Sequence, residues 1–277
     1  KGYCDMITTD NKKYNKKSIK LYYMGGIIFN LISIVISSVL MLLIKNVYFN
    51  LVNILNIGIN MYFTLYNSIP ASKSGASNDA LQIIYCLNDE NYINTTSKVR
   101  KIQLLLMSGK DLKDIDKTLF TKPNEFKTYG DVLNAMFYVD YIVSKEQYKE
   151  ASDYCIKILN DAKDMIPKQN LITVKLQLII CLFNEDKLDE IKNIWDKDIK
   201  KYLDQMGKIL PIFVGINYMY ATLIEKNEVN SNKYFHQLKK INKKNLDKYQ
   251  IKEIEDLLNE VNTKRKKYYV LYKNTWI

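Results

Sequence analysis

The chain has 277 residues, with 41 lysines and arginines against 30 acidic residues and a formal net charge of +11. Only two of those cations are arginine and no nucleic-acid-binding module is recognisable, so nucleic acid is not expected as a partner. Four cysteines, at 4, 86, 155 and 181, contain no C-x-x-C pair, so neither a zinc ribbon nor a disulfide framework is suggested.

Charge divides the chain into two materials. Residues 21–44 and 46–72 contain no charged side chain, whereas everything from Asp89 onward is rich in Lys, Glu and Asp. The domains expected are therefore 1–88, a membrane part, and 89–277, a soluble part. Six lysines stand in the first twenty residues, directly before the first apolar run. That is the positive-inside pattern, and it places this flank in the cytoplasm. The chain begins at Lys1 and is expected to be a fragment of a longer protein.

Two spans follow, at about 21–45 and 47–69. At ~1.5 Å per residue either is long enough for a hydrocarbon core of ~30 Å. Lys45 and Asn46 link them tightly, so the spans are expected as a hairpin with both outer ends on one side. Gly25, Gly26 and Asn30 on the first allow close helix approach and a polar contact. On the second, Asn53, Asn56, Asn60 and Asn67 form one helical stripe, which needs polar partners on a neighbouring helix. The second span breaks at Pro70 into a polar loop, Ala-Ser-Lys-Ser-Gly-Ala-Ser-Asn, that ends on the single carboxylate Asp79. An ionisable group near membrane depth is costly and usually functional.

Beyond Asp79 a short helix over 80–87 is expected, and the chain turns soluble and helical from Asn91. Helix pairs are predicted at 129–143 with 146–162, at 171–183 with 188–203, and at 209–224 with 232–241, before a last helix over 246–272. Tyr148-Lys-Glu-Ala151 and Leu188-Asp-Glu-Ile191 occupy equivalent places about 40 residues apart. That period suggests an α-solenoid of tetratricopeptide type. The fold class is thus all-α, a transmembrane hairpin followed by a helical-repeat domain able to bind a protein or peptide.

The order of motifs in residues 1 to about 85 resembles the site-2 protease-type intramembrane zinc metallopeptidases. Gly2-Tyr3-Cys-Asp-Met6 is similar to the family's Gly-Gly-Tyr-Val-x-Met strand, and Gly26-Ile-Ile-Phe-Asn30 to its Gly-Pro-x-x-Asn. Asn67-Ser-Ile-Pro70 with Ser77-Asn-Asp79-Ala80 looks like its Asn-Leu-Ile-Pro and Asp-Gly segment, Ala80 replacing the glycine. The resemblance implies that Asp79 is a zinc ligand, that Asn67 helps position substrate, and that Gly26, Asn30 and Pro70 belong to the membrane core. It implies regulated intramembrane proteolysis of a transmembrane or peptide substrate, in a multi-pass cell-membrane protein whose C-terminal domain is cytoplasmic. Three protein ligands leave zinc an open position for water, whose pKa falls towards ~7, and a glutamate takes the proton. The histidines and glutamate of the family's His-Glu-x-x-His helix are not in this chain. Its one histidine, His236, lies in the helical part. As it stands, the polypeptide cannot hydrolyse a peptide bond by that mechanism, and a non-catalytic membrane-anchored helical-repeat adaptor is the alternative.

Overall fold

The structure is a computed structural model that describes residues 16–73, 76–241, 246 and 248–274. The Gly2–Met6 motif and Cys4 lie outside these residues. Within them the protein is all-α apart from one two-residue ladder. Contacts divide the chain into two compact units, Lys1–Val174 and Lys175–Ile277. The boundary expected at 88/89 falls inside the first unit, and the division lies within one helix, α7 (Lys168–Asn184).

In the first unit, α1 (Lys16–Leu43) and α2 (Val47–Ser68) pack as an antiparallel hairpin. The stretch Lys20–Leu43 is long and apolar enough to cross a membrane. The helix α2 has the length, but its asparagines lower its mean hydropathy. Those asparagines face inward. Asn53, Asn60 and, on α1, Ser37 are buried, while Phe29 is 71% and Leu42 79% exposed. Asn56 Nδ2 donates to Ser33 Oγ at 3.2 Å and to Ser37 Oγ at 2.7 Å. Asn53 Nδ2 donates to the Phe49 carbonyl, and Asn60 Nδ2 to the carbonyl and Oδ1 of Asn56. Gly26, Asn30, Ser33 and Ser37 fall on one heptad-spaced row of α1. Asn50, Asn53, Asn60, Thr64 and Asn67 fall on one row of α2. Rows with this spacing meet along a single seam, and here the seam is polar.

The hairpin leads through β1 (Ser72–Lys73) and β2 (Ala76–Ser77), an antiparallel pair in register Ser72 with Ser77, into α3 (Asp79–Asn88) and α4 (Glu90–Met107). The ladder was not legible as anything but a loop. Then come α5 (Tyr129–Ser144), opened by a Thr128/Asp131 capping box, and α6 (Tyr148–Asp161). Val132, Ala135, Val139, Ile142, Ala151, Cys155 and Ile158 form their fully buried core. Gly130 lets α5 cross α4 closely: a Cβ there would stand 2.4 Å from the Tyr92 nitrogen. In exchange the Gly130 N–H reaches the buried Asp89 carboxylate at 2.8 Å.

The second unit holds α8 (Leu188–Ile194), α9 (Lys197–Met206), α10 (Ile212–Met219), α11 (Glu228–Lys240) and α12 (Lys248–Asn274). The helix expected over 188–203 is two helices. Asp196 accepts from the Ile199 N–H as the N-cap of α9 and from Lys175 Nζ, and these bonds favour a fresh helix start. The helix expected over 209–224 starts at Ile212 and passes into a π-helical turn, Tyr220–Ile224. Among the described residues, only Glu146, Asp186 and Lys226 are non-glycines with positive φ, at 60°, 59° and 52°. They stand 40 residues apart, each just before α6, α8 or α11. Gln147, Lys187 and Asn227 follow them and donate back to the Ile142, Leu182 and Ala221 carbonyls. The first two bonds reach five residues back and the third, after the π-helical turn, six, so the shared feature is the left-handed residue two places before each helix.

A left-handed residue other than Gly costs about 1–2 kcal/mol, partly offset by glycine's extra freedom when unfolded. Glu146, exposed and without an ion pair among the described residues, isolates that strain. Glu146→Gly should stabilise the chain by about 0.5–1 kcal/mol in denaturant titration, whereas Glu146→Val should destabilise it.

Candidate functional site

The helix α2 stops where it does because of Pro70. Proline has no N–H to give the Tyr66 carbonyl four residues back, and it disfavours helical geometry at Ile69. Asn78 repairs the damage from further along the chain. Its Nδ2 donates to the Tyr66 carbonyl at 2.7 Å and to the Ile69 carbonyl at 2.6 Å. Its Oδ1 accepts from the Ala71 N–H at 3.1 Å and from the Leu81 N–H at 3.2 Å. Both donors and both acceptor positions of the amide are thus used. The Asn78 N–H also bonds the Ala71 carbonyl, closing the base of the β1–β2 hairpin. One side chain ends α2, holds the loop and caps α3.

Asp79 is the first residue of α3, one step past this joint. Its Oδ2 lies 3.4 Å from where a Cβ on Gly26 would sit, so the bare backbone of α1 makes room for the carboxylate. Among the described residues Asp79 has no hydrogen-bonded or ionic side-chain partner. Burial raises its carboxyl above the ordinary range, with no neighbouring charge opposing the shift. A helix N-terminus favours a carboxylate by ~0.3–1 kcal/mol, and here desolvation wins. The result is a half-buried carboxylate with free acceptor oxygens, aimed at the hairpin.

The far end of α3 is held as firmly. Tyr85 lies 5.1 Å from Tyr92 and 4.9 Å from Tyr129, ring centre to ring centre. Tyr23 of α1 packs on the same cluster, with Cys86 and Ile93. Tyr92 of α4 donates to Gln82 Oε1 of α3, and Tyr129 accepts from Asn170 Nδ2 at 2.7 Å. Desolvation pushes the Tyr85, Tyr92 and Tyr129 phenols up, which keeps them neutral. The helices α4 and α5 flank an open cleft of about 510 Å³ lined by Asn91, Asn94, Lys98, Asn134 and neighbouring polar residues.

Of the residues singled out from sequence, the structure brings Gly26 and Asp79 together. Pro70 acts through the carbonyl that it leaves without a donor. Asn30 and Asn67 are half-buried on the α1 and α2 seam rows and make no side-chain hydrogen bond to the described residues. His236 is exposed on α11. Among the described residues no three metal-ligating side chains converge. For a zinc ion the donor set is one carboxylate, which suits a single position of a three-ligand site. Asn78 was the residue that sequence reasoning missed. An Asn directly before a short apolar helix is an N-cap signal, and a Pro eight residues earlier leaves a carbonyl wanting a donor. No family model, curated protein or solved structure matches the chain.

The Gly26–Asp79 approach sets a size limit. Gly26→Ala should be accommodated with little change in melting temperature. Gly26→Leu should drive α3 off α1 and cost about 1–3 kcal/mol, read by thermal unfolding of the detergent-solubilised chain.

Proposed function

We propose that this chain is the C-terminal part of a membrane-embedded zinc metalloendopeptidase. In this reading both hairpin helices cross the bilayer and the helical body stands in the cytoplasm. The inside-out distribution of the hairpin supports the two spans. Nine large apolar or aromatic side chains on α1 and twelve on α2 are exposed, while Ser37, Asn53 and Asn60 are buried between the helices. Leaving such side chains in water forgoes on the order of 1 kcal/mol or more each, against a whole-domain stability of only about 5–15 kcal/mol. Lipid removes that cost. It also explains the inward asparagines, because a polar atom facing hydrocarbon needs an internal partner. The six lysines before the apolar stretch of α1 favour a cytoplasmic start, and two spans return the chain to that side.

The enzymatic part rests on one observation, the unpartnered Asp79 carboxylate facing the Gly26 gap. Asp79 would hold one position of the zinc site, Gly26 keeps space for it, and Asn67 on the last turn of α2 would orient substrate. Zinc, when bound, would supply Lewis-acid activation. This chain's own residues contribute placement and a desolvated setting, and the remaining ligands and the general base must come from a His-Glu-x-x-His helix that the 277 residues lack. The substrate class is a transmembrane segment or a membrane-delivered peptide. The helical body, with its repeated turn and polar cleft, would receive that substrate or a regulatory protein. The same turn and cleft favour a second reading, a membrane-anchored helical-repeat adaptor in which Asp79 does no chemistry.

Metal content separates the two. The polypeptide encoded with its upstream sequence should carry about one zinc ion per chain, and Asp79→Asn should weaken zinc binding at least 10-fold while the protein still assembles in membranes. Zinc content indifferent to Asp79, or no zinc, would leave the adaptor.

A further inference from the structure

Resting on the reading of Asp79 above, we infer that Asn78 is the positioning residue that aims Asp79 at α1. The geometry separates two tasks in one amide. Through Oδ1, Asn78 caps α3 at the Leu81 N–H, which any good N-cap side chain can do. Through Nδ2, it clasps the Tyr66 and Ile69 carbonyls at the end of α2. Only an amide offers both, because Asp, Ser and Thr cannot place two N–H bonds there. The clasp fixes where α3 begins relative to α2, and Asp79 is the next residue. Since α2 is joined to α1 by the Asn56 bonds to Ser33 and Ser37, the clasp also fixes Asp79 relative to Gly26.

Pro70 makes the arrangement obligatory. A residue with an N–H at 70 could have closed the Tyr66 carbonyl within α2, and the Nδ2 donor would then lose half its purpose. With proline there, the Nδ2 of Asn78 supplies the bond to the Tyr66 carbonyl that the helix cannot, and losing it costs about as much as a lost hydrogen bond. The tyrosine cluster pins the other end of α3. Losing the clasp therefore lets the Asp79 end swing while the Tyr85 end stays.

The test is a cross-link that reads distance alone. In the full chain in lipid vesicles, Gly26→Cys with Asp79→Cys reports the approach, scored by mass spectrometry as the 26–79 disulfide peptide after mild oxidation. Ser33→Cys with Asn56→Cys is the control for an intact hairpin. Adding Asn78→Asp or Asn78→Ser, each keeping a cap but not the clasp, should slow the 26–79 cross-link by about tenfold or more and leave 33–56 unchanged. An unchanged 26–79 rate in both Asn78 variants would reduce Asn78 to a helix cap and overturn the inference. A parallel fall in the 33–56 rate would overturn it too, by showing general unfolding. Because no metal enters this measurement, the inference can fail while the zinc reading stands, and the reverse.

Discussion

The arrangement depends on the polar seam between α1 and α2. Asn56 reaching Ser33 and Ser37, with Asn53 and Asn60 closing on their own helix, gives partners to amides that the packed hairpin takes out of contact with solvent. Each such bond is worth only ~0.6 kcal/mol in a membrane. Their larger effect is on register: a one-residue slip would turn the asparagines outward and set large apolar side chains against one another at the seam. The seam thereby fixes which residue of α1 stands opposite the end of α2. Gly26 comes to lie where α3 begins.

From that fixed register the rest follows by short range. Pro70 ends α2, Asn78 takes up the carbonyls left behind, and Asp79 is delivered beside Gly26, where only a small side chain fits. At the opposite end of α3, Tyr23, Tyr85, Tyr92 and Tyr129 tie the hairpin to the helices that follow, and the Asp89–Gly130 bond locks α4 on α5. A ten-residue helix is thus held at both ends, and its one carboxylate stays unpaired. A molecule that needed Asp79 only as a capping residue had no reason to leave it so, since Asn78 already caps α3.

Much of this was legible in the residues. The uncharged runs gave both hairpin helices to within a few positions, because charge is what a buried or lipid-facing helix cannot carry. The asparagine stripe foretold a polar seam, and the likeness between 148–151 and 188–191 foretold the 40-residue turn. The parts that escaped depend on partners distant in sequence. Asn78 reads as a loop residue until the Tyr66 carbonyl is seen to need it. The break at Trp195 depends on Lys175 reaching Asp196. Tyr85, Tyr92 and Tyr129 look like scattered aromatics until three helices bring them together.

The α1–α2 hairpin carries everything else, and the proposal that both its helices cross a membrane can be measured directly. Single cysteines placed at Asn46, in the link between α1 and α2, and at Asn88, after α3, can be labelled in sealed vesicles with a membrane-impermeant maleimide. If both helices cross, the two positions react from opposite faces of the membrane, Asn88→Cys from the cytoplasmic one. Labelling of both from the same face would mean that α2 does not span, and the account built on the seam would be wrong.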